Sequence, residues 1–149
     1  MRTTATLAVT TALGLGLAAC GPAVPTAAPL PGEPVTGEPQ TTASGLQYYV
    51  LTEGTGAQPT VANTVEVDYA GYLLDGTKFD SSYDRGQPAS FTVGGVIRGW
   101  QEGLALMKVG GKYKFVIPGN LGYGPEGSPA AGIGPDATLV FDVELHEVQ

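Results

Sequence analysis

From Ser44 to the C-terminus, apolar side chains return at every second residue, and a single stretch breaks that period. Val65, Val67 and Tyr69 alternate with Glu66 and Asp68. Tyr113, Phe115 and Ile117 alternate with Lys112, Lys114 and Val116, and Leu139, Phe141, Val143 and Leu145 with Val140, Asp142 and Glu144. Leu46–Leu51 is also β-prone, and a shorter strand is predicted over Ser90–Val93. A period of two places one set of side chains on one face of a strand. These segments therefore read as half-buried antiparallel strands, apolar inside and mostly polar outside. The exception is Ile97, Trp100, Leu104 and Met107, which fall at helical spacing until Gly110-Gly111 stops them. The fold class that accommodates both patterns is α+β, a twisted antiparallel sheet with one short helix packed on its concave face.

The N-terminal part is built differently. Arg2 precedes the apolar run Leu7–Leu17, which is too short to span a bilayer as a stable helix. A short cationic start, a short apolar core and small residues before a cut describe a secretory signal over residues 1–19. The cut region, Leu17-Ala18-Ala19-Cys20, resembles the bacterial lipobox, which implies a diacylglyceryl group on the Cys20 thiol and a membrane anchor of more than one acyl chain. The expected location is extracytoplasmic, as a membrane-anchored lipoprotein. Residues 20–43 then form the lipidated cysteine and a tether. The stretch 21–43 holds six prolines and no aromatic residue, a composition that predicts a semi-rigid spacer packing on nothing.

Charge and cysteine content exclude several functions. The net charge is −7, and the six cationic residues after Arg2 are scattered singly or in pairs. Nucleic-acid binding needs clustered Lys and Arg, so no nucleic acid is expected as a partner. Cys20 is the only cysteine, which leaves no intrachain disulfide and no cysteine-based metal site. His146 is the only histidine and is expected at a solvated strand end. No metal and no cofactor is expected. Nothing supports hydrolysis either, because G-x-S-x-G, a cysteine within residues 44–149 and a histidine placed as a base are all lacking.

The runs VDYAGYLLDGTKFDSS, VIRGWQEGLALMKVGGKYKFVIP, LGYG and ATLVFDVEL, in this order, resemble the FKBP-type peptidyl-prolyl isomerases across residues 44–149. The resemblance implies a half-barrel of five to six antiparallel strands wrapped around a short helix. It implies an apolar pocket for a substrate proline, floored by Trp100 and walled by Tyr69, Phe79, Val96, Ile97 and Phe141, with Tyr123 at the rim. Asp80 matches the family's pocket carboxylate, Arg85 the arginine that pairs with it, and the Ile97 N–H the group that holds a substrate carbonyl. Proline-containing polypeptides are then the substrates, and macrolides of the tacrolimus or rapamycin type are possible inhibitors.

Four departures from better-known members stand out. Ala89 replaces an aromatic residue two positions before Phe91, which predicts an opened pocket wall. Ser128 stands where some members carry a histidine. The Gly94-Gly95 loop is about two residues shorter than in some members, and the hairpin Pro125–Pro135 about one longer.

These residue types suit rotation about an X–Pro bond. The barrier of roughly 18–20 kcal/mol reflects lost amide resonance, and crossing it requires neither a nucleophile nor a proton transfer. A dry aromatic pocket disfavours the dipolar planar amide relative to the twisted one. Periodicity alone leaves plainer roles open: Trp100, Tyr69 and Phe141 also fit core positions, and Asp80 also fits the start of a turn. The leading expectation is an isomerase that assists folding of exported proteins. The alternative is a lipid-anchored binding or chaperone module that holds proline-containing apolar segments with little catalysis.

Overall fold

The computed structural model describes residues 29–149. The signal segment, Cys20 and the first part of the Pro-rich stretch lie outside the described residues. Among those described, seven strands form one antiparallel sheet: β1 (Gln40–Thr41), β2 (Gln47–Thr52), β3 (Thr64–Leu73), β4 (Lys78–Ser81), β5 (Ala89–Thr92), β6 (Lys112–Ile117) and β7 (Leu139–Val148). The order across the sheet is β1-β2-β6-β7-β3-β4, with β5 also paired to β3.

The two ten-residue strands β3 and β7 run side by side along their whole length, from Val65↔Val148 to Leu73↔Leu139. The free side of β3 is covered in two pieces. β4 pairs with Ala70, Gly71 and Tyr72, and β5 pairs with Thr64–Val67. Between them the chain leaves the sheet as the one-turn helix α1 (Ser82–Arg85), capped by Ser81 and ended by Gly86 in the left-handed region. This interruption, together with β1, raises the strand count above the five or six expected.

The helix predicted from spacing is α2 (Arg98–Leu104), shorter than its apolar pattern, with Ile97 as its N-cap and Met107 in the turn beyond it. Trp100, Leu104 and Met107 are buried against the concave face with Val65, Val67, Phe115, Phe141 and Leu145. Close approach is possible because a Cβ on Gly99 would lie 2.6 Å from Ile117, and one on Gly103 would lie 2.7 Å from Phe115.

The convex face departs from expectation. Lys114, read as a solvated outer residue of β6, is 0 % exposed and ion-paired with Asp142 of β7 at 2.7 Å. Its cover is the supposed spacer. Lys114 Nζ donates to the Pro31 carbonyl at 2.5 Å, Glu33 N–H donates to Asp142 Oδ2 at 2.7 Å, and Glu33 pairs with Lys112 at 2.9 Å. Gly32 makes this docking possible, since its φ of +84° is left-handed and a Cβ there would strike the Asp142 carboxylate. Downstream, Gln40 and Thr41 pair with Tyr48 and Gln47 as β1. The last part of the Pro-rich stretch is therefore a strap on the sheet. Further hydrogen bonds offset the cost of burying an ion pair, and the strap supplies one to each side, the Pro31 carbonyl to Lys114 and the Glu33 N–H to Asp142.

Candidate functional site

The concave face opens at one end into a cleft of about 330 Å³. Trp100, presented by α2, lies 4 % exposed at its base. Phe141 of β7 meets the indole at 5.2 Å and 87°, and Tyr69 of β3 meets it at 5.2 Å and 85°. Phe79 of β4 packs edge-on against Phe141 at 5.5 Å. Edge-to-face rings of this kind favour one another by about 0.5–1.5 kcal/mol per pair beyond burial, so the box is preformed. Gly71 on β3 leaves space for it, because a Cβ there would lie 2.7 Å from both the Phe79 and the Phe141 ring.

The polar edge is formed by Asp80, the residue after Phe79. Tyr69 OH donates to its Oδ2, Arg85 Nη1 to its Oδ1 at 2.5 Å, and Ser81 N–H to the same oxygen at 2.9 Å. Arg85 Nη2 also donates to the Tyr69 hydroxyl at 3.1 Å. Burial works to raise the Asp80 carboxyl, but the hydrogen bonds from Tyr69 and Arg85 and the guanidinium charge outweigh it and hold it below the usual carboxylate range. The Tyr69 phenol is pushed up, first by burial and then by its bond to Asp80. The edge is therefore an ionised carboxylate and a neutral phenol at physiological pH.

The rim comes from two loops. Val96 and Ile97 line the cleft with Gly95, and Gln101 Nε2 braces this loop by donating to the Val96 carbonyl at 2.8 Å. Among the described residues the Ile97 N–H has no partner within the chain. Opposite, Tyr123 lines the cleft and is 41 % exposed.

Of the residues singled out in the sequence, Tyr69, Phe79, Asp80, Val96, Ile97, Trp100, Tyr123 and Phe141 line this cleft. Arg85 does not line it and instead holds Asp80 and Tyr69 from behind, with its guanidinium 5.6 Å from the Tyr69 ring centre. Phe91 was missed. It stands 5.5 Å from Trp100 and 5.8 Å from Tyr69 and forms the wall on the β5 side, where Ala89 contributes no lining. Alternation held the signal, since Phe91 shares its face of β5 with Ala89. Among the described residues no group of His, Cys, Asp and Glu could hold a metal ion.

A profile of the family described as FKBP-type peptidyl-prolyl cis-trans isomerase matches residues 56–146. This chain belongs to that family. It is 54 % identical over 110 residues to the FKBP-type peptidyl-prolyl cis-trans isomerase FkpA of Aeromonas hydrophila, covering 74 % of this chain and 40 % of that one. The crystal structure of FkpA from Escherichia coli superposes with a TM-score of 0.72 at 52 % identity, covering 74 % of this chain and 51 % of the other. A peptidyl-prolyl cis-trans isomerase from Pseudomonas syringae superposes at 0.71 and 39 % identity, covering 76 % and 83 %. The chain thus spans about 40 % of the length of the FkpA relative it matches.

Proposed function

We propose that this chain catalyses cis/trans isomerisation of X–Pro bonds in polypeptides, and does so outside the cytoplasm as a lipid-anchored protein that assists the folding of exported chains. The observation that carries the reading is the box of Trp100, Tyr69, Phe79, Phe91 and Phe141, which is apolar, preformed and bordered by the Ile97 N–H, a backbone donor with no partner among the described residues.

A pyrrolidine ring seated on Trp100 gains a few kcal/mol by apolar burial. The proline's own carbonyl accepts from Ile97 N–H, so the ring side of the amide is held while the acyl group before it turns. Moving the amide out of water removes solvent dipoles that stabilise its planar, charge-separated form, which lowers the barrier without bond making. Asp80 keeps Tyr69 and Arg85 in place and needs to exchange no proton. On this reading the same cleft would also take macrolides of the tacrolimus or rapamycin type.

Exchange spectroscopy on a short X–Pro peptide tests the activity. Cis/trans exchange accelerated by the wild-type chain and slowed by Trp100→Ala supports the reading; binding without exchange would make the protein a holding module instead. Anchoring rests on Leu17-Ala18-Ala19-Cys20, and an intact mass showing an unmodified Cys20 thiol on the native protein would refute it.

A further inference from the structure

A second hydrogen-bonded chain runs from the surface to the strand that carries the cleft's tyrosine, and the mechanism above makes no use of it. The β3–β4 ladder ends at Ala70↔Ser81, where the chain turns into α1. The Tyr69 N–H lies just beyond that last pair and donates to the Ser82 hydroxyl at 2.8 Å, so a side-chain oxygen replaces a strand carbonyl. Ser82 is fully buried, and its one proton goes to Asp68 Oδ1 at 2.7 Å rather than to the Tyr69 carbonyl at 3.4 Å. Asp68 Oδ2 lies 2.8 Å from His146 Nε2 on β7. Burial falls steadily along the series, with the Asp68 and His146 side chains 19 % and 34 % exposed.

The far end of this chain is the cleft. Tyr69 reaches Asp80 through its phenol, and α1, which begins with Ser82, ends with the Arg85 that grips the same carboxylate. One hydroxyl therefore fixes both the strand bearing Tyr69 and the turn of helix bearing Arg85.

We propose that His146, Asp68 and Ser82 are positioning residues, a relay that sets the Tyr69–Asp80–Arg85 arrangement from outside the cleft and tightens substrate binding when His146 takes up a proton. The proposal rests on the isomerase reading above. A charged imidazole donates from Nε2 unconditionally, whereas a neutral one does so in only one tautomer. Protonation thus holds Asp68 through both oxygens, and Asp68 in turn orients the Ser82 hydroxyl so that its lone pair faces Tyr69 N–H. Burial works to raise the Asp68 carboxyl, but the bonds from Ser82 and His146 together bring it below its ordinary value. The other charged or titratable groups on this face are Asp142, Glu144 and Glu147 on β7, Glu66 on β3, Lys112 and Lys114 on β6, and Tyr83 on α1, whose hydroxyl is 3.4 Å from Glu144. Carboxyl, phenol and ammonium groups as classes titrate outside pH 5–8 and an imidazole within it.

The full chain is followed by NMR at the Tyr69 backbone amide from pH 5 to 8, with kcat/KM for an X–Pro peptide measured in parallel. The amide resonance is expected to titrate with one midpoint in the wild type and to stop doing so in His146→Gln and in Ser82→Ala. From pH 6 to 8, kcat/KM should fall about two- to fourfold through KM, the scale of a part-exposed ion pair, and this slope should vanish in His146→Gln. A Tyr69 amide that does not titrate, or a slope that survives His146→Gln, overturns the relay. Should Ser82→Ala fail to fold, His146→Gln alone decides the point. A wild type without exchange would refute the isomerase reading, and the amide titration would still decide whether the relay transmits.

Discussion

The Asp80 side chain is 42 % exposed and its partner Arg85 46 %, an exposure at which an ion pair contributes under about 1 kcal/mol to stability. The value of Asp80 lies in geometry, because it receives donors from Tyr69, Arg85 and Ser81 at once. Asp80→Asn keeps the size and loses the charge. Peptide turnover should fall about tenfold without vanishing, the cost of one charge-assisted hydrogen bond, while the thermal midpoint stays nearly unchanged. The pH profile separates positioning from proton transfer. Tyr69 and Arg85 hold the folded-state carboxyl below its ordinary value, so its contribution is present above about pH 4 and is lost only as pH falls further. In a His146→Gln background, turnover should therefore be flat from pH 5 to 8, and a steep limb abolished by Asp80→Asn would promote Asp80 to a proton carrier. At this scale most of the site was legible, because Phe79-Asp80, Ile97 and Trp100 sit inside contiguous motifs. Phe91 was not, since a residue as small as Ala89 reads as a missing wall. A methyl group there leaves the wall to the next residue on the same face.

Among the elements, the strap Pro31–Glu33 shows where reading by composition failed. Proline density and the lack of aromatic residues do predict a chain that cannot build a core of its own. They do not reveal that another surface offers it partners. Alternation along β6 and β7 placed Lys114 and Asp142 outside, correctly as to face, and outside was equated with solvated. The structure covers them instead, through the Pro31 carbonyl and the Glu33 N–H. The split of the β3 edge into β4 and β5 was hidden for a similar reason, because α1 is too short for a helical period to register. Burial makes the Lys114–Asp142 pair sensitive to losing one partner. Asp142→Ala leaves an ammonium inside the fold without its counter-charge and should cost about 3–5 kcal/mol, measured by urea unfolding. Replacing both at once, Lys114→Met with Asp142→Leu, should recover most of that loss. If the single change costs no more than the double one, the pair is not buried in solution.

At the scale of the whole molecule, the sheet has two faces with different work. Trp100, Tyr69 and Phe141 belong to the concave side, and Lys112, Lys114 and Asp142, alternating with core residues on β6 and β7, belong to the convex side that carries the strap. The overall architecture was the most legible part, because three strands and a helix declare themselves by period, whereas alternation names no partner and the long β3–β7 pairing emerges only in the structure. Separation of the faces predicts separable effects. Deleting the chain up to Thr42 removes the strap and the Gln40–Thr41 pairing with β2, but touches no residue of the cleft. Water then reaches Lys114 and Asp142, so the loss is that of the strap's own contacts rather than of a stranded charge. Two hydrogen bonds to charged groups, less the entropy of ordering the segment, leave a net of about 1–2 kcal/mol. For a domain of this size that amounts to a fall in thermal midpoint of about 5–10 °C. Turnover of a short peptide at 25 °C should match that of a chain beginning at Pro29. An unchanged midpoint would show that the strap does not dock in solution, whereas an equal loss of turnover and stability would show that the two faces are coupled through the sheet.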